Sequence, residues 1–285
     1  MPTPARVLYA SQTATIDGTA YPIQSVSLDI TNPIDDVLVF GQLGSAARTQ
    51  KEVSKSKISI KTIMVTGGAN ALSASNFTTW TGNALAGTYS TIVLDGGYGF
   101  SGSGILSNVS IDAAMNSFVT CDLTFEGAGQ ATIGAAPTSI ISNATANTLA
   151  VVPVTTNYVA AGYNSTNAAC VNSAKFSLDI PNEMISCLGA EIVGSQNTVI
   201  GGNKMVAKPP FKATVTVEGT AASQADTVDF GPIYVKLSSN AKVISQSYNQ
   251  AVGNAGATYN FVMEDVNVTF GTSTVTSGPN INTIP

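Results

Sequence analysis

The chain contains no histidine, and charge is scarce: Asp, Glu, Lys and Arg make up 10% of its 285 residues, where about 25% is usual. Without histidine there is no imidazole general base, no Ser-His-Asp or Cys-His nucleophile system, and the commonest metal ligand is missing. The three cysteines, Cys121, Cys170 and Cys187, form no CxxC pair. That odd number and spacing argue against a zinc site or a disulfide framework. Cys121 and Cys187 lie in apolar-alternating stretches and are expected as buried reduced thiols, which suits assembly in a reducing cytoplasm. Long hydrophobic runs are also missing. VLVF and LAVVPV are strand-sized, well short of the roughly 18 apolar residues of a membrane helix. The N-terminal MPTPARVLYASQTATIDG has no apolar core of a signal peptide. A net charge of −5 provides no basic stripe with which to grip nucleic acid. It leaves open a surface along which nucleic acid slides.

What remains is an apolar fraction of 44% set in a Ser-, Thr-, Asn- and Gly-rich chain. A free monomer normally relies on charge for solubility. So neutral a surface points either to a protein whose outside is covered by partners or to a secreted β-protein. The length suits one large domain or two of about 140 residues, either able to bury a core.

The dominant pattern has period two. Val26, Leu28 and Ile30 alternate with Ser25, Ser27 and Asp29; Phe176, Leu178 and Ile180 alternate with Lys175, Ser177 and Asp179. Cys121, Leu123 and Phe125 alternate with Thr120, Asp122, Thr124 and Glu126, and Val266, Val268 and Phe270 with Asn267 and Thr269. This predicts antiparallel strands buried on one face and wet on the other. Long amphipathic helices are absent from the pattern, and NPIDDVLVFGQ fits a helical turn or a strand.

The chain also says some things twice. VSLDITNPIDDVL (26–38) and FSLDIPNEMISCL (176–188) agree at six of 13 positions. ISIKTIMVTGG aligns with PFKATVTVEG at an offset of 151, matching Lys61 to Lys212 and Gly68 to Gly219. SNVSIDAAMNSFVTCDLTFE aligns with SQSYNQAVGNAGATYNFVME at an offset of 138, with five identities. Three segments in one order predict two tandem copies, 1–145 and 146–285. The drop in offset makes the first copy the longer one. Its excess falls near ALSASNFTTWTGNALAGTY, which holds Trp80, the only tryptophan. An extra loop or short helix is expected there. The connector is expected between Gly127 and Ser173, part of it repeating the role of residues 1–24.

Several motifs resolve to plain readings. GYGFSG (Gly97–Gly102) matches the dinucleotide fingerprint, but the strand-like ILSNVSID follows it where a helix is needed, so a hairpin turn is expected. Asp35–Asp36 and Asp226/Asp229 are too few oxygens for calcium. The five Asn-x-Ser/Thr sequons, at Asn76, Asn108, Asn143, Asn164 and Asn267, are what this composition produces by chance. The basic residues cluster. Arg48, Lys51, Lys55, Lys57 and Lys61 lie in GQLGSAARTQKEVSKSKISIK, and Lys204, Lys208 and Lys212 in the counterpart AEIVGSQNTVIGGNKMVAKPPFK. Such a run is either a solvated loop or a docking surface for an acidic neighbour.

ILSNVSIDAAMNSFVTCDLTFEGAG, together with SLDITN and the basic stretch after it, resembles the tail tube proteins of long-tailed bacteriophages, of the type that carries the tube fold twice. The resemblance covers about half of the first copy and is fainter in the second. It implies an all-β chain with at most short helices: two tandem β-sandwich, barrel-forming domains in a structural virion protein, with no catalysis and no cofactor. Trimeric, pseudo-hexameric rings would stack into a tail tube that conducts DNA, assembled in the host cytoplasm and residing in the virion tail. The partners it implies are other copies of the chain and the tail tip, tape measure and tail terminator proteins, with no membrane. Gly41–Lys57 and Gly189–Pro209 would be loops reaching the adjacent ring, giving Arg48, Lys51, Lys55, Lys57, Lys204 and Lys208 as inter-ring candidates. Asp29, Asp112, Asp122, Glu126 and Asp179 are candidates for an acidic lumen wall, since each phosphate neutralised by a cation adds grip. The alternatives are another virion or cell-surface β-protein (a capsid decoration protein, a tail-tip component or an adhesin) and, less favoured by a single tryptophan and scattered acids, a carbohydrate-active enzyme.

Overall fold

The computed structural model describes residues 13–40, 44–50, 53–65, 71–95, 99–114, 117–129, 131–134, 160–163, 166–167, 171–186, 203–219, 226–250 and 257–272. Among them the fold is all-β, with one helix. The first half carries β1 (Thr13–Ile16), β2 (Thr19–Ala20), β3 (Ile23–Thr31), β4 (Ile34–Val37), β5 (Ala47–Gln50), β6 (Lys55–Ile63), α1 (Ala74–Ala86), β7 (Ser90–Asp95), β8 (Gly99–Ala114), β9 (Thr120–Ala128) and β10 (Thr132–Gly134). The second carries β11 (Ala160–Tyr163), β12 (Thr166–Asn167), β13 (Val171–Asp179), β14 (Asn182–Ser186), β15 (Asn203–Ala207), β16 (Lys212–Gly219), β17 (Thr227–Asp229), β18 (Ile233–Leu237), β19 (Lys242–Asn249), β20 (Thr258–Asp265) and β21 (Val268–Thr272).

Eight strands form one long antiparallel run in the order β3-β6-β9-β8-β13-β16-β20-β19. Alternation is the cause. In β6, Ser56, Ile58, Ile60 and Thr62 point inward while Lys55, Lys57 and Lys61 are exposed. In β16, Ala213, Val215 and Val217 are buried. The apolar face is covered by two smaller antiparallel layers. One has the order β2-β1-β7-β8-β10 and uses the first part of the 16-residue β8; the other has the order β12-β11-β17-β18-β21. Closure is tight where β8 passes between layers: a Cβ on Gly127 would stand 2.1 Å from the Ser103 carbonyl oxygen. The β7–β8 hairpin places strand, not helix, after the glycine-rich stretch, with Leu94 opposite Phe100. NPIDDVLVFGQ begins as strand β4.

The pairing order of the first half recurs in the second. So do the β-bulges, where one residue is skipped and the strand bends. Gln24 is skipped in β3 and Asn172 in β13, Ser107 in β8 and Ile244 in β19. These landmarks superpose β3 on β13 with Gln24 falling on Asn172, and β6 on β16 with Lys61 falling on Glu218. They superpose β9 on β20 with Asp122 falling on Asn260, and β8 on β19 with Ser107 falling on Ile244. The match of β9 to β20 keeps the offset read from sequence, but the matches of the two earlier strands do not. By register, Asp29 matches Ser177 rather than Asp179, and Lys212 matches Lys55 rather than Lys61. These two discrepancies are even, so the side chains of those strands keep their faces, whereas β8 falls on β19 one residue away from the sequence match, Ser245 taking the place of Asn108 rather than Ser107. The β4–β5 and β14–β15 hairpins follow the same correspondence, Ile34↔Gln50 recurring as Asn182↔Ala207.

Helix α1 is the exception. It lies in the long stretch from the end of β6 at Ile63 to the start of β7 at Ser90, whereas β16 ends at Gly219 and β17 already begins at Thr227. Asn76 Oδ1 accepts the Ser73 N–H (2.9 Å) at its start, and Gly87 (φ 62°) ends it in the left-handed conformation. Its buried face, Phe77, Trp80 and Ala84, fills the core between the halves. Phe77 stacks on Phe270 of β21 with centroids 5.1 Å apart, and Phe270 meets Phe176 of β13 edge-on at 5.6 Å. Trp80 donates its indole N–H to Asp17 (3.2 Å), in the β1–β2 turn.

Candidate functional site: the polar face and open edges of the long sheet

Strand alternation leaves one face of the long sheet polar. All five acidic wall candidates, Asp29, Asp112, Asp122, Glu126 and Asp179, stand on it, joined by Glu218 and Glu264. They are not alone. Lys55, Lys57, Lys61, Lys175, Lys212 and Lys242 share the face, so it carries seven acids and six lysines. Five of the lysines stand directly across a strand pair from a carboxylate. Lys57 faces Asp29 on one side and Glu126 on the other; Lys61 faces Asp122, Lys175 Asp112, Lys212 Asp179 and Lys242 Glu264. Opposed side chains on one sheet face lie about 5 Å apart, close enough for opposite charges to attract. The Lys212 ammonium reaches diagonally to Glu264 at 2.8 Å, and this hydrogen bond and charge raise its pKa. The face is therefore a ladder of alternating charge, not a purely acidic surface.

This corrects the placement of two inter-ring candidates in a loop. Lys55 and Lys57 belong to β6, because they alternate with Ser56 and Ile58 across a paired strand, and they face the acids. The expected loops are hairpins in part. Arg48 lies in β5 and binds Asp36 of β4 across the ladder at 2.8 Å. Lys204 lies in β15 and caps the C-terminus of α1, its ammonium donating to the Ala86 carbonyl at 3.2 Å. A cation there complements the helix dipole. Lys208 pairs with Glu183 at 3.0 Å. Lys51 lies outside the described residues, as do Cys170 and Cys187. Cys121 is buried and free, and burial pushes its thiol pKa up.

The β4–β5 hairpin instead offers apolar surface. Val37, Leu38, Val39 and Phe40 run exposed at its end, Phe40 fully so. The β14–β15 hairpin is treated differently. It folds across the first half, β15 touching α1, β8 and β9. Met205 is buried there, and its N–H donates to the Tyr89 hydroxyl (2.7 Å); burial is the main cause of the raised Tyr89 pKa.

Where β8 meets β13, a crevice of about 400 Å³ opens on the polar face, lined by Lys57, Glu126, Asp179 and Asn182 among others. The strands are tied there by the Ile180 N–H donating to the Ser107 carbonyl at 2.8 Å. At the ends of the sheet, β3 and β19 each pair on one side only among the described residues. Sequence reasoning missed the bulges, the opposed lysines and the edge apolar residues Ile244 and Tyr248. Alternation of Lys55, Lys57, Ser59 and Lys61 with Ser56, Ile58 and Ile60 was the signal that could have moved those lysines out of a loop.

No family model matches the chain, and no characterised protein matches it in sequence.

Proposed function

We propose that this chain is a structural subunit of a hollow tube, built as two tandem copies of one β-unit. Its long sheet closes with other copies into a ring, and rings stack. The observation that carries the reading is the recurrence of strand order. A four-strand run, β3-β6-β9-β8, is followed in the same sheet by β13-β16-β20-β19. The first run ends on β8, which accepts β13; the second ends on the corresponding strand, β19, with β3 at the other end of the sheet. A unit that joins its own repeat head to tail can join another chain in the same way. Unprotected edges invite such pairing, and a closed ring removes them. Three chains of eight strands each give a barrel of twenty-four, the trimeric, pseudo-hexameric ring of the tail tube resemblance.

In that ring the polar face lines the lumen. A lysine opposed by a carboxylate has its charge already answered, so a phosphate gains little by displacing it. DNA would pass such a wall without being held. The apolar tip Leu38-Val39-Phe40 replaces the lysines as the contact to the adjacent ring. No step of this role calls for catalysis or a cofactor. Negative-stain electron microscopy of the concentrated protein tests the proposal: rings or tubes with a central pore are expected. A protein that stays monomeric at all concentrations refutes it.

A further inference from the structure

The joint inside the chain predicts the joint between chains. We infer that β19 pairs antiparallel with β3 of a second copy in the register of β8 with β13. This sets Ser245, Ser247 and Asn249 opposite Thr31, Asp29 and Ser27 of the second copy, and buries Ile244 against Ile34. It rests on the ring reading in one respect only, that a second copy meets the open edges.

The register comes from the internal pairs. Asn108 faces Asp179, Ser110 faces Ser177 and Asp112 faces Lys175. Carrying β8 onto β19 by the bulge match of Ser107 to Ile244, and β13 onto β3 by that of Asn172 to Gln24, converts these into the three pairs above. Both edge strands keep the bulge of their counterparts, so both have the bend that the internal joint accommodates.

The chemistry then changes in a directed way. The internal crevice is lined by Ser107, Thr124 and Asn182, beside Ile180 and Pro181, and Ile180 corresponds to Asn32. The same correspondence replaces Ser107 by Ile244, Thr124 by Val262 and Asn182 by Ile34. In the single chain Ile244 is 54% exposed and Ile34 64% exposed, at opposite ends of the sheet. They share no environment until a second copy arrives, and then both line one crevice. Tyr248, 56% exposed, falls where Ile111 is fully buried, and comes opposite Leu28 of the second copy. Neither β3 nor β19 contains proline, and β3 contains no lysine, two of the devices by which edges avoid pairing; the bulge, which can also blunt an edge, recurs in the paired strands β8 and β13 and does not prevent their joint. Apolar side chains at this crevice of the inter-chain joint fit the physics: the two halves are held together by the covalent chain, whereas an intermolecular joint must be driven by removing apolar surface from water.

Cysteine pairing reads the register directly. Opposed Cα atoms in an antiparallel pair are about 4.5–5.5 Å apart, within disulfide reach, and a two-residue slip takes them beyond it. In a chain carrying Cys170→Ser and Cys187→Ser, the pair Asp29→Cys with Ser247→Cys should oxidise to covalent dimers and trimers on a non-reducing gel. Asp29→Cys with Ser245→Cys should give less than about a tenth as much. Rings that form while the second pair cross-links better overturn the register and leave the ring reading standing; absence of any oligomer by light scattering and microscopy overturns both. A second measurement is independent of thiols. Ile244→Asp should raise the concentration needed for assembly at least tenfold with an unchanged circular dichroism melt of the single chain, and Ile34→Lys added to it should restore assembly in part. Assembly by Ile244→Asp at the wild-type concentration overturns the inference.

Discussion

Phe77→Ala should weaken both halves of the chain at once. Phe77 has no exposed surface; its ring stacks on Phe270 of β21 at 5.1 Å and meets Trp80 edge-on at 5.9 Å. Phe270 in turn touches Phe176 of β13. Truncation removes a buried ring from a site walled by two layers and a helix, so the cavity collapses poorly. The loss is about 3–5 kcal/mol, with roughly 0.5–1.5 kcal/mol of it in each aromatic pair. That is a large part of the 5–15 kcal/mol on the order of which domains are stable. Guanidinium unfolding followed by Trp80 emission and by far-ultraviolet circular dichroism measures it. With a slope of about 4–6 kcal/mol per molar, both midpoints should fall by roughly 0.5–1 M. Phe77→Leu, which keeps most of the volume, should cost under about 1.5 kcal/mol. A loss below about 1 kcal/mol in Phe77→Ala, or a shift in Trp80 emission alone, would refute the view that α1 couples the halves.

Three further outcomes are expected. Gly127→Ala places a methyl group 2.1 Å from the Ser103 carbonyl oxygen and should destabilise by about 1–3 kcal/mol or more through overpacking, seen as a lower thermal midpoint. Asp265 is buried, which raises its pKa, but hydrogen bonds from the Ser238 hydroxyl and from the N–H groups of Val266 (2.7 Å), Ser238 (2.7 Å) and Asn267 (3.3 Å) outweigh burial and hold it below the usual carboxylate range. Its contribution is therefore full above the unfolded value and lost as pH falls through the folded one, so Asp265→Asn should cost about 1–3 kcal/mol at pH 7, with the gap to wild type narrowing below about pH 4 in urea titrations. Cys121, buried with its thiol pKa pushed up, should stay unlabelled by a thiol reagent until denaturant is added, when Cys170 and Cys187 are serine; labelling of the native protein would contradict its burial.

Much of the fold was legible in single strands. The alternation from Thr120 to Glu126 and from Lys175 to Ile180 named the buried face, and the five acids assigned to the opposite face are all there. The extra segment around Trp80 was legible as an interruption of one half and is helix α1. Lys55 and Lys57 were misread because a cluster of lysines resembles a solvated loop when the strand beneath them is not recognised. The likeness of SLDITN to SLDIPN suggested a register two residues away from the paired one.

The sequence by itself determined that the chain is built of half-buried strands, which face of the alternating ones is wet, and that charge is too sparse for a basic surface. Only the tertiary structure decided which strands pair, where the bulges fall, which lysine answers which acid, and which edges stay open among the described residues. The reason is physical. Alternation records a side chain's face, and a two-residue slip preserves it. Register and partner are fixed by contacts between strands far apart in the chain, and no local pattern carries them.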